Sequence, residues 1–97
     1  MSSGETGTAV LTDLGDSTTQ ITITTSGGND TGAQSAVIRS GTCGVSGSLF
    51  EELNNIQSRQ SVTTVSQALS SIKGGKYYID VHSSTSVADI YACGNIP

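Results

Sequence analysis

Few side chains in this sequence could do chemistry, because it has one histidine, His82, and two cysteines, Cys43 and Cys93. His82 is the only side chain whose ordinary titration falls near neutral pH. As a general base it would need a neighbouring nucleophile and an orienting carboxylate such as Asp80 or Asp89. Serines are so numerous that one beside His82 would prove nothing. We therefore expect no catalytic residue, and we interpret His82 as a structural residue at the end of a strand.

A metal centre is also hard to assemble from these residues. Redox-active copper needs several converging imidazoles, and His82 supplies only one. We therefore expect no cofactor and no metal, with His82 as a weak candidate ligand. Calcium would need a dense cluster of carboxylates. The aspartates are instead scattered along the chain, and we interpret them as solvated turn residues: Asp13, Asp16, Asp30, Asp80 and Asp89.

The two cysteines could be free thiols, metal ligands or a disulfide. Metal ligation would require further cysteine or histidine at close spacing, and the sequence offers none. A bridge between Cys43 and Cys93 closes a long loop, which is worth about 4 kcal/mol in the chain-entropy model. We therefore predict a disulfide. Because disulfides persist in oxidising compartments, we also predict a secreted or cell-surface location.

Length and charge exclude several classes. The chain of 97 residues carries a net charge of -4, and its four basic residues are scattered. Since they cannot neutralise a row of phosphates, nucleic acid is not an expected partner. Membrane insertion is not expected either, because no apolar run approaches the roughly 20 residues that span a bilayer. We predict one domain over 1–97, in which residues 1–6 are a flexible linker after a removed export signal.

Alternating apolar and polar residues predict an all-β domain. The first two predicted strands form an opening hairpin, and the last two form a terminal hairpin around a Ser/Thr-rich connection. The predicted strands are Thr8–Leu14, Thr18–Thr25, Ala33–Arg39, Ser61–Val65, Tyr77–Val81 and Ala88–Cys93. Ser/Thr-rich outer faces would keep such strands in solution without charge.

Three other segments carry local signals. Ser48–Asn54 is compatible with a strand or a helical turn. Over Ser66–Ile72 the period changes, which predicts about two turns of helix with Ser66 as N-cap and a stop at Gly74–Gly75. The triplet Asn29–Thr31 matches a glycosylation acceptor, although we favour a simple Asx-type turn.

Aromatic residues suggest a recognition surface. Tyr77 and Tyr78 occupy adjacent strand positions, so at least one of them should face outward, where it could bind a protein or a glycan. Packing of these rings under the helical turn is the other interpretation. Arg39 could pair with an acid at the edge of the core, contact a partner, or be an ordinary surface charge at a strand end. Uncharged strand edges add self-association as a further expectation.

Five short blocks of this sequence resemble the CHRD (chordin-type) domains of exported proteins. The blocks are Ala36–Cys43, Leu53–Ile56, Ser61–Val65, Tyr78–His82 and Tyr91–Ile96. The Gly-Thr-Cys turn and the last two blocks are also similar to copper/zinc superoxide dismutases. In that pattern, a loop cysteine bridges to the cysteine of a C-terminal Ala-Cys-Gly. The resemblance implies a Greek-key β-sandwich, immunoglobulin-like or superoxide dismutase-like, with one short helix and one disulfide.

The departures from that pattern bear on function. Only His82 matches a metal ligand of the family, and Val37 and Arg39 stand where the pattern places a His-x-His pair. The resemblance therefore implies the scaffold without its metal centre. We predict a non-enzymatic extracellular structural or binding module, with an unknown protein or glycan as partner. The alternative is a degenerate dismutase-like protein that binds copper.

Overall fold

The computed structural model describes residues 4–28, 32–44, 47–85 and 90–96. Within those ranges, seven strands and one helical turn follow one another along the chain. They are β1 (Thr6–Gly15), β2 (Thr18–Ser26), β3 (Gln34–Ser40), β4 (Leu49–Ile56), β5 (Gln60–Val65), α1 (Leu69–Ile72), β6 (Tyr77–His82) and β7 (Ile90–Ile96). Every predicted strand is present, and the ambiguous segment after residue 48 is a strand. The glycosylation triplet and the start of the last predicted strand, including Asp89, lie outside the described residues.

The strands form two antiparallel sheets. Sheet A has the order β1-β2-β5, and sheet B has the order β4-β3-β6-β7. The pairs β2–β5 and β3–β6 join strands that are distant in sequence, as in immunoglobulin-like sandwiches, although here β4 belongs to the second sheet. Together with the one short helix and the disulfide, this confirms the predicted all-β sandwich.

Alternation along the strands builds the core between the sheets. Residues at every second position of β2, β3, β5 and β6 point inward, which removes their branched aliphatic side chains from water. The buried cluster contains Ile21, Ile23, Ala36, Ile38, Leu53, Ile56, Val65, Ile79, Val81 and Ile96. Leu49, at the start of β4, is instead 51% exposed and lies outside this core.

One side of the sandwich is closed by the connection from β4 to β5, where the chain crosses between sheets. Asn54 binds β5 three times: its N–H donates to Thr63 Oγ1 at 2.8 Å, its Nδ2 donates to the Val62 carbonyl at 2.8 Å, and its carbonyl accepts from Ser61 Oγ at 2.7 Å. The small polar residues on the inner face of β5 therefore fasten this corner. On the opposite side, β1 and β7 are edge strands of the two sheets.

The helix is shorter than predicted. α1 is a single turn that buries Ile72, and its N-cap is the extended residue Ala68, without a side-chain capping bond. Ser66 is therefore not the cap. The preceding segment is used differently, because the Gln67 carbonyl accepts a hydrogen bond from Thr19 Oγ1 at 2.8 Å. No helix among the described residues has the length and hydropathy to cross a bilayer.

The N-terminal segment is not the flexible linker that we expected over residues 1–6, as far as residues 5 and 6 are concerned. Thr6 begins β1, and Glu5 is buried. Gln34 Nε2 donates to Glu5 Oε1 at 2.8 Å and lies 3.1 Å from the His82 carbonyl oxygen. This contact joins the start of β1 to sheet B, so Glu5 and Thr6 are part of the fold.

Candidate functional site

Most of the residues singled out for chemistry lie on the outer face of sheet B, away from the core. Along β6, Tyr78, Asp80 and His82 alternate with the core residues Ile79 and Val81. These three outer residues are nevertheless only 2%, 1% and 3% exposed. The outer face of sheet B is therefore covered by another part of the chain.

The loop between β3 and β4 covers the end of this face around Tyr78. Its backbone is bonded by side chains of the sheet: Gly47 N donates to the Tyr78 hydroxyl at 3.1 Å, and Arg39 Nη1 donates to the Gly47 carbonyl at 3.2 Å. Ser40 N also donates to the Ser48 carbonyl at 3.0 Å. A Cβ at Gly47 would overlap the Ser40 carbonyl oxygen, so only glycine fits this position.

A disulfide fixes the same loop to β7. Cys43 and Cys93 are bridged, with their Cα atoms 5.8 Å apart, which confirms the predicted bond. Beside it, Cys43 N donates to Asn95 Oδ1 at 2.6 Å. Cys93 is also the cross-strand partner of Asp80. The bridge therefore lies on the outer face of sheet B, next to the buried carboxylate.

Asp80 is the one strongly desolvated charge of this face. Arg39 Nε lies 3.2 Å from Asp80 Oδ2, but neither carboxylate oxygen has a well-directed hydrogen bond among the described residues. Burial raises the pKa of Asp80, and the nearby His82 and Arg39 only partly oppose that shift. Arg39 is thus a counterion for a buried acid as well as a ligand of the loop, and its predicted contact with a partner stays untested.

His82 has partners within the fold. Its Nδ1 lies 2.9 Å from Ser35 Oγ on the neighbouring strand, and its carbonyl accepts from Gln34. A serine hydroxyl within hydrogen-bonding distance of an imidazole, with a carboxylate on the same face, provides the components of a proton relay. The contact nevertheless follows directly from strand pairing, because Ala36 and Val81 are cross-strand partners and the next residues are therefore neighbours. The interpretation of His82 as a structural residue fits this geometry.

The predicted tyrosine surface is not assembled. Tyr78 is buried under the loop, and Tyr77 packs half-buried against the core with its ring centroid 4.4 Å from that of Phe50. Tyr78 does point to the outer face of sheet B, as expected for one of two adjacent tyrosines, but it is buried there, so the expected exposed aromatic is not present at Tyr78. Sequence reasoning also missed Gly47 and Ser35. A glycine just before a strand signals close backbone approach, whereas nothing in the sequence marks Ser35.

Metal-binding groups do not converge in the part of the chain that the structure describes. There, no group of three or more histidine, cysteine, aspartate or glutamate side chains could hold an ion. Both cysteines are consumed by the bridge. His82 and Asp80 lie on one face of β6, but these two side chains are fewer than the three that such a group requires.

A cleft of about 320 Å³ opens on the opposite face of sheet B, between the edge strands β1 and β7. Ile23, Ile79 and Val81 form part of its lining, together with Thr25. The edge strands contribute small residues to it, namely Gly7, Ala9, Ala92 and Gly94. The cleft reaches into the space between the sheets, and its lining includes neither Ser35 nor His82. Cys93 and Asn95, which bond to the covering loop, lie at its margin.

No family model, no curated protein and no solved structure matches the chain. The CHRD-type resemblance therefore rests on the short sequence blocks alone and stays a prediction. Function has to be argued from the two features that the geometry provides, the covered face of sheet B and the open cleft between the sheet edges.

The close packing of the covering loop against β3 can be tested by substitution of Gly47. We expect Gly47→Ala to lower the free energy of unfolding by about 3 kcal/mol, because the added methyl group overpacks against backbone. The matched control is Gly94→Ala, since a Cβ at Gly94 meets no atom within 4 Å. Urea denaturation of both variants measures the difference. Equal effects of the two substitutions would contradict the close approach of Gly47 to Ser40.

Burial of Asp80 leads to a prediction about how the free energy of unfolding depends on pH. Its pKa is raised above the unfolded value of 3.8, so the folded chain holds this proton more tightly than the unfolded chain does. The stabilisation by protonated Asp80 is complete below pH 3.8 and is lost as the pH rises through the folded pKa. The unfolding free energy of the wild type minus that of Asp80→Asn should therefore fall from acid to neutral pH.

Denaturation at a series of pH values measures this difference. Asp16→Asn removes the same charge from an exposed turn, and it separates the effect of net charge from that of burial. A wild-type minus Asp80→Asn difference that grows with pH would show that Asp80 is not desolvated in the folded chain.

Proposed function

We propose that this chain is a non-enzymatic structural or binding module of a secreted or cell-surface protein. One observation carries the proposal: the side chains best suited to chemistry are used to hold the covering loop and sheet B together. The cysteines bridge the loop to β7, Arg39 binds both the loop and Asp80, and His82 binds Ser35. A scaffold function explains each of these contacts.

The disulfide supports the proposed extracellular location. A disulfide that ties a loop to the last strand would be lost in a reducing compartment. The long loop that it closes gives it a large share of the stability of a small domain. Export would therefore be required for the module to reach its full stability.

The partner that we propose is a protein or a glycan, and the outer face of sheet A is the surface that suits it. Cross-strand pairing places Val10, Thr22 and Val62 in one row on this face. Val10 is 61% exposed and Val62 is 45% exposed. The neighbouring outward residues are also uncharged, among them Gln20 and Thr64. Such a flat, hydroxyl-rich and partly apolar surface offers hydrogen bonds and contact area without a charge to desolvate.

Self-association through strand edges belongs to the same proposal. β1 is ten residues long and its only charged residue is Asp13, and β7 carries no charged residue. Natural edge strands usually carry charges or proline that prevent pairing with another chain. These two edges lack most of that protection, so a second copy could add to either one.

The alternative is a degenerate dismutase-like copper protein. The observation that favours it is the shared outer face of β6, where His82 and Asp80 lie two residues apart and the Asp80 carboxylate is paired only with Arg39 among the described residues. One imidazole and one carboxylate could form a weak site. They are fewer ligands than a redox-cycling copper centre uses.

The scaffold part of the proposal is tested by replacing the bridge. We expect Cys43→Ser with Cys93→Ser to lower the free energy of unfolding by about 4 kcal/mol, because the unfolded chain regains loop entropy. Urea denaturation measures the loss, and the wild type under reducing conditions should show the same loss. An unchanged denaturation midpoint would mean that the bridge does not stabilise the module.

Metal addition separates the two proposed functions. The module predicts equal melting temperatures with and without copper or zinc. The copper protein predicts a higher melting temperature with copper, and His82→Ala should abolish that increase. Native mass spectrometry of the same samples reports bound metal and assembly state together. A stoichiometric copper adduct that depends on His82 would overturn the module proposal.

A further inference from the structure

The cleft between β1 and β7 has the size and shape of a ligand site. It has a volume of about 320 Å³, and core residues of both sheets line it. Small-molecule sites in proteins range from roughly 300 to 1,000 Å³ and are lined mostly by apolar side chains with a few polar groups. The cleft meets this description, although at the lower end of the range.

Small residues on both edge strands keep the cleft open. Gly7 and Ala9 line it from β1, and Ala92 and Gly94 line it from β7. At Gly94, a Cβ would meet no atom within 4 Å, so space remains directly above the strand. A larger side chain at position 94 could have closed this side of the sandwich, whereas a Cβ at Gly7 would lie only 3.0 Å from the Thr24 carbonyl oxygen.

A buried hydroxyl supplies the second, independent observation. Thr25 lies on the inner face of β2, lines the cleft and is 4% exposed. Its Oγ1 has no hydrogen-bond partner among the described residues. A buried hydroxyl without a partner carries a desolvation cost of about 1–3 kcal/mol. Because Oγ1 itself has almost no exposed surface, Thr25 must turn its hydroxyl toward the cleft before a ligand can bond to it, and that bond would remove the cost.

The chemistry of the lining defines the ligand class. The side chains that line the cleft include no charged group, so a charged ligand would be desolvated without compensation. A cavity of about 150 Å³ accommodates one benzene ring, and the cleft is about twice that volume. The matching ligand is therefore uncharged, about two fused rings in size, and carries one hydrogen-bonding group.

We propose that the cleft between β1 and β7 binds a small, uncharged, largely apolar molecule whose single hydroxyl or carbonyl group bonds to Thr25 Oγ1. This is a separate activity from the scaffold role, because it uses the inner faces of the sheets and not the covered face of sheet B. The occupant is a small molecule and not a strand of a second copy, since the cleft extends down to the core residues Ile23 and Ile79.

The test uses two probes that differ by one hydroxyl group, 2-naphthol and naphthalene. The chain contains no tryptophan, so the fluorescence of the probes can be followed without interference from indole emission. We expect saturable binding of both probes to the wild type, with 2-naphthol bound up to about tenfold more tightly through its bond to Thr25.

Three variants locate the site. Thr25→Val keeps the side-chain shape, and it should remove the preference for 2-naphthol while leaving naphthalene binding unchanged. Thr24→Val makes the same change on the exposed outer face of β2 and should leave both affinities unchanged. Gly94→Leu should fill the cleft and abolish binding of both probes. Because Thr25→Val tests the polar contact alone, the test remains decisive even if Gly94→Leu fails to fold.

The melting temperature of Thr25→Val without any probe tests whether the Thr25 hydroxyl lacks a hydrogen-bond partner. Thr25→Val should melt at the same temperature as the wild type or higher, since it removes a buried group that lacks a partner. A lower melting temperature would overturn the claim that Thr25 Oγ1 is unbonded. Absence of saturable binding to the wild type, or a dimer that takes up neither probe, would overturn the site itself. Neither result would alter the outcome of the disulfide and metal tests of the scaffold role.

Discussion

Burial of both faces of the two central strands of sheet B, β3 and β6, is the constraint on which the rest of the structure depends. The inner face packs against sheet A, and a loop that contributes mostly backbone covers the Tyr78 end of the outer face. Backbone polar groups that leave water must be bonded, so the sheet has to supply the partners. Tyr78 and Arg39 bond to Gly47, and Asn95 bonds to Cys43. The disulfide then holds the loop where these bonds can form.

This arrangement explains why charged and aromatic residues occur on the outer face of sheet B although they do not form an exposed surface there. Arg39 reaches the Gly47 carbonyl and, through its Nε, the carboxylate of Asp80. Asp80 is costly, because burial raises its pKa and its oxygens lack well-directed hydrogen bonds among the described residues. Removing one partner of a buried ion pair is more damaging than replacing both. Arg39 and Asp80 are therefore best understood as one unit.

Period-two alternation was enough to predict the strands and the all-β class. It could not predict exposure, because alternation shows which residues share a face but not whether a distant loop covers that face. The exposure expected of one of the two tyrosines was wrong for this reason, since Tyr78 points to the outer face but is buried there. The predictions at Glu5 and Ser66 were wrong because hydrogen bonds from residues distant in sequence fix those segments. Gln34 bonds to Glu5, and the Gln67 carbonyl accepts from Thr19 just before the helical turn begins.

The two sides of the sandwich use the same kind of residue in opposite ways. At the closed side, Ser61 and Thr63 on the inner face of β5 satisfy the backbone of Asn54, so each hydroxyl has a structural role. At the open side, Thr25 occupies a comparable inner position on β2, yet its hydroxyl has no hydrogen-bond partner among the described residues and lies beside a cleft that Gly94 leaves unfilled. Packing alone would favour valine at position 25 and a larger residue at position 94. Because neither is present, the open side is where this small domain departs from what its stability requires, and departures of that kind tend to mark functional sites.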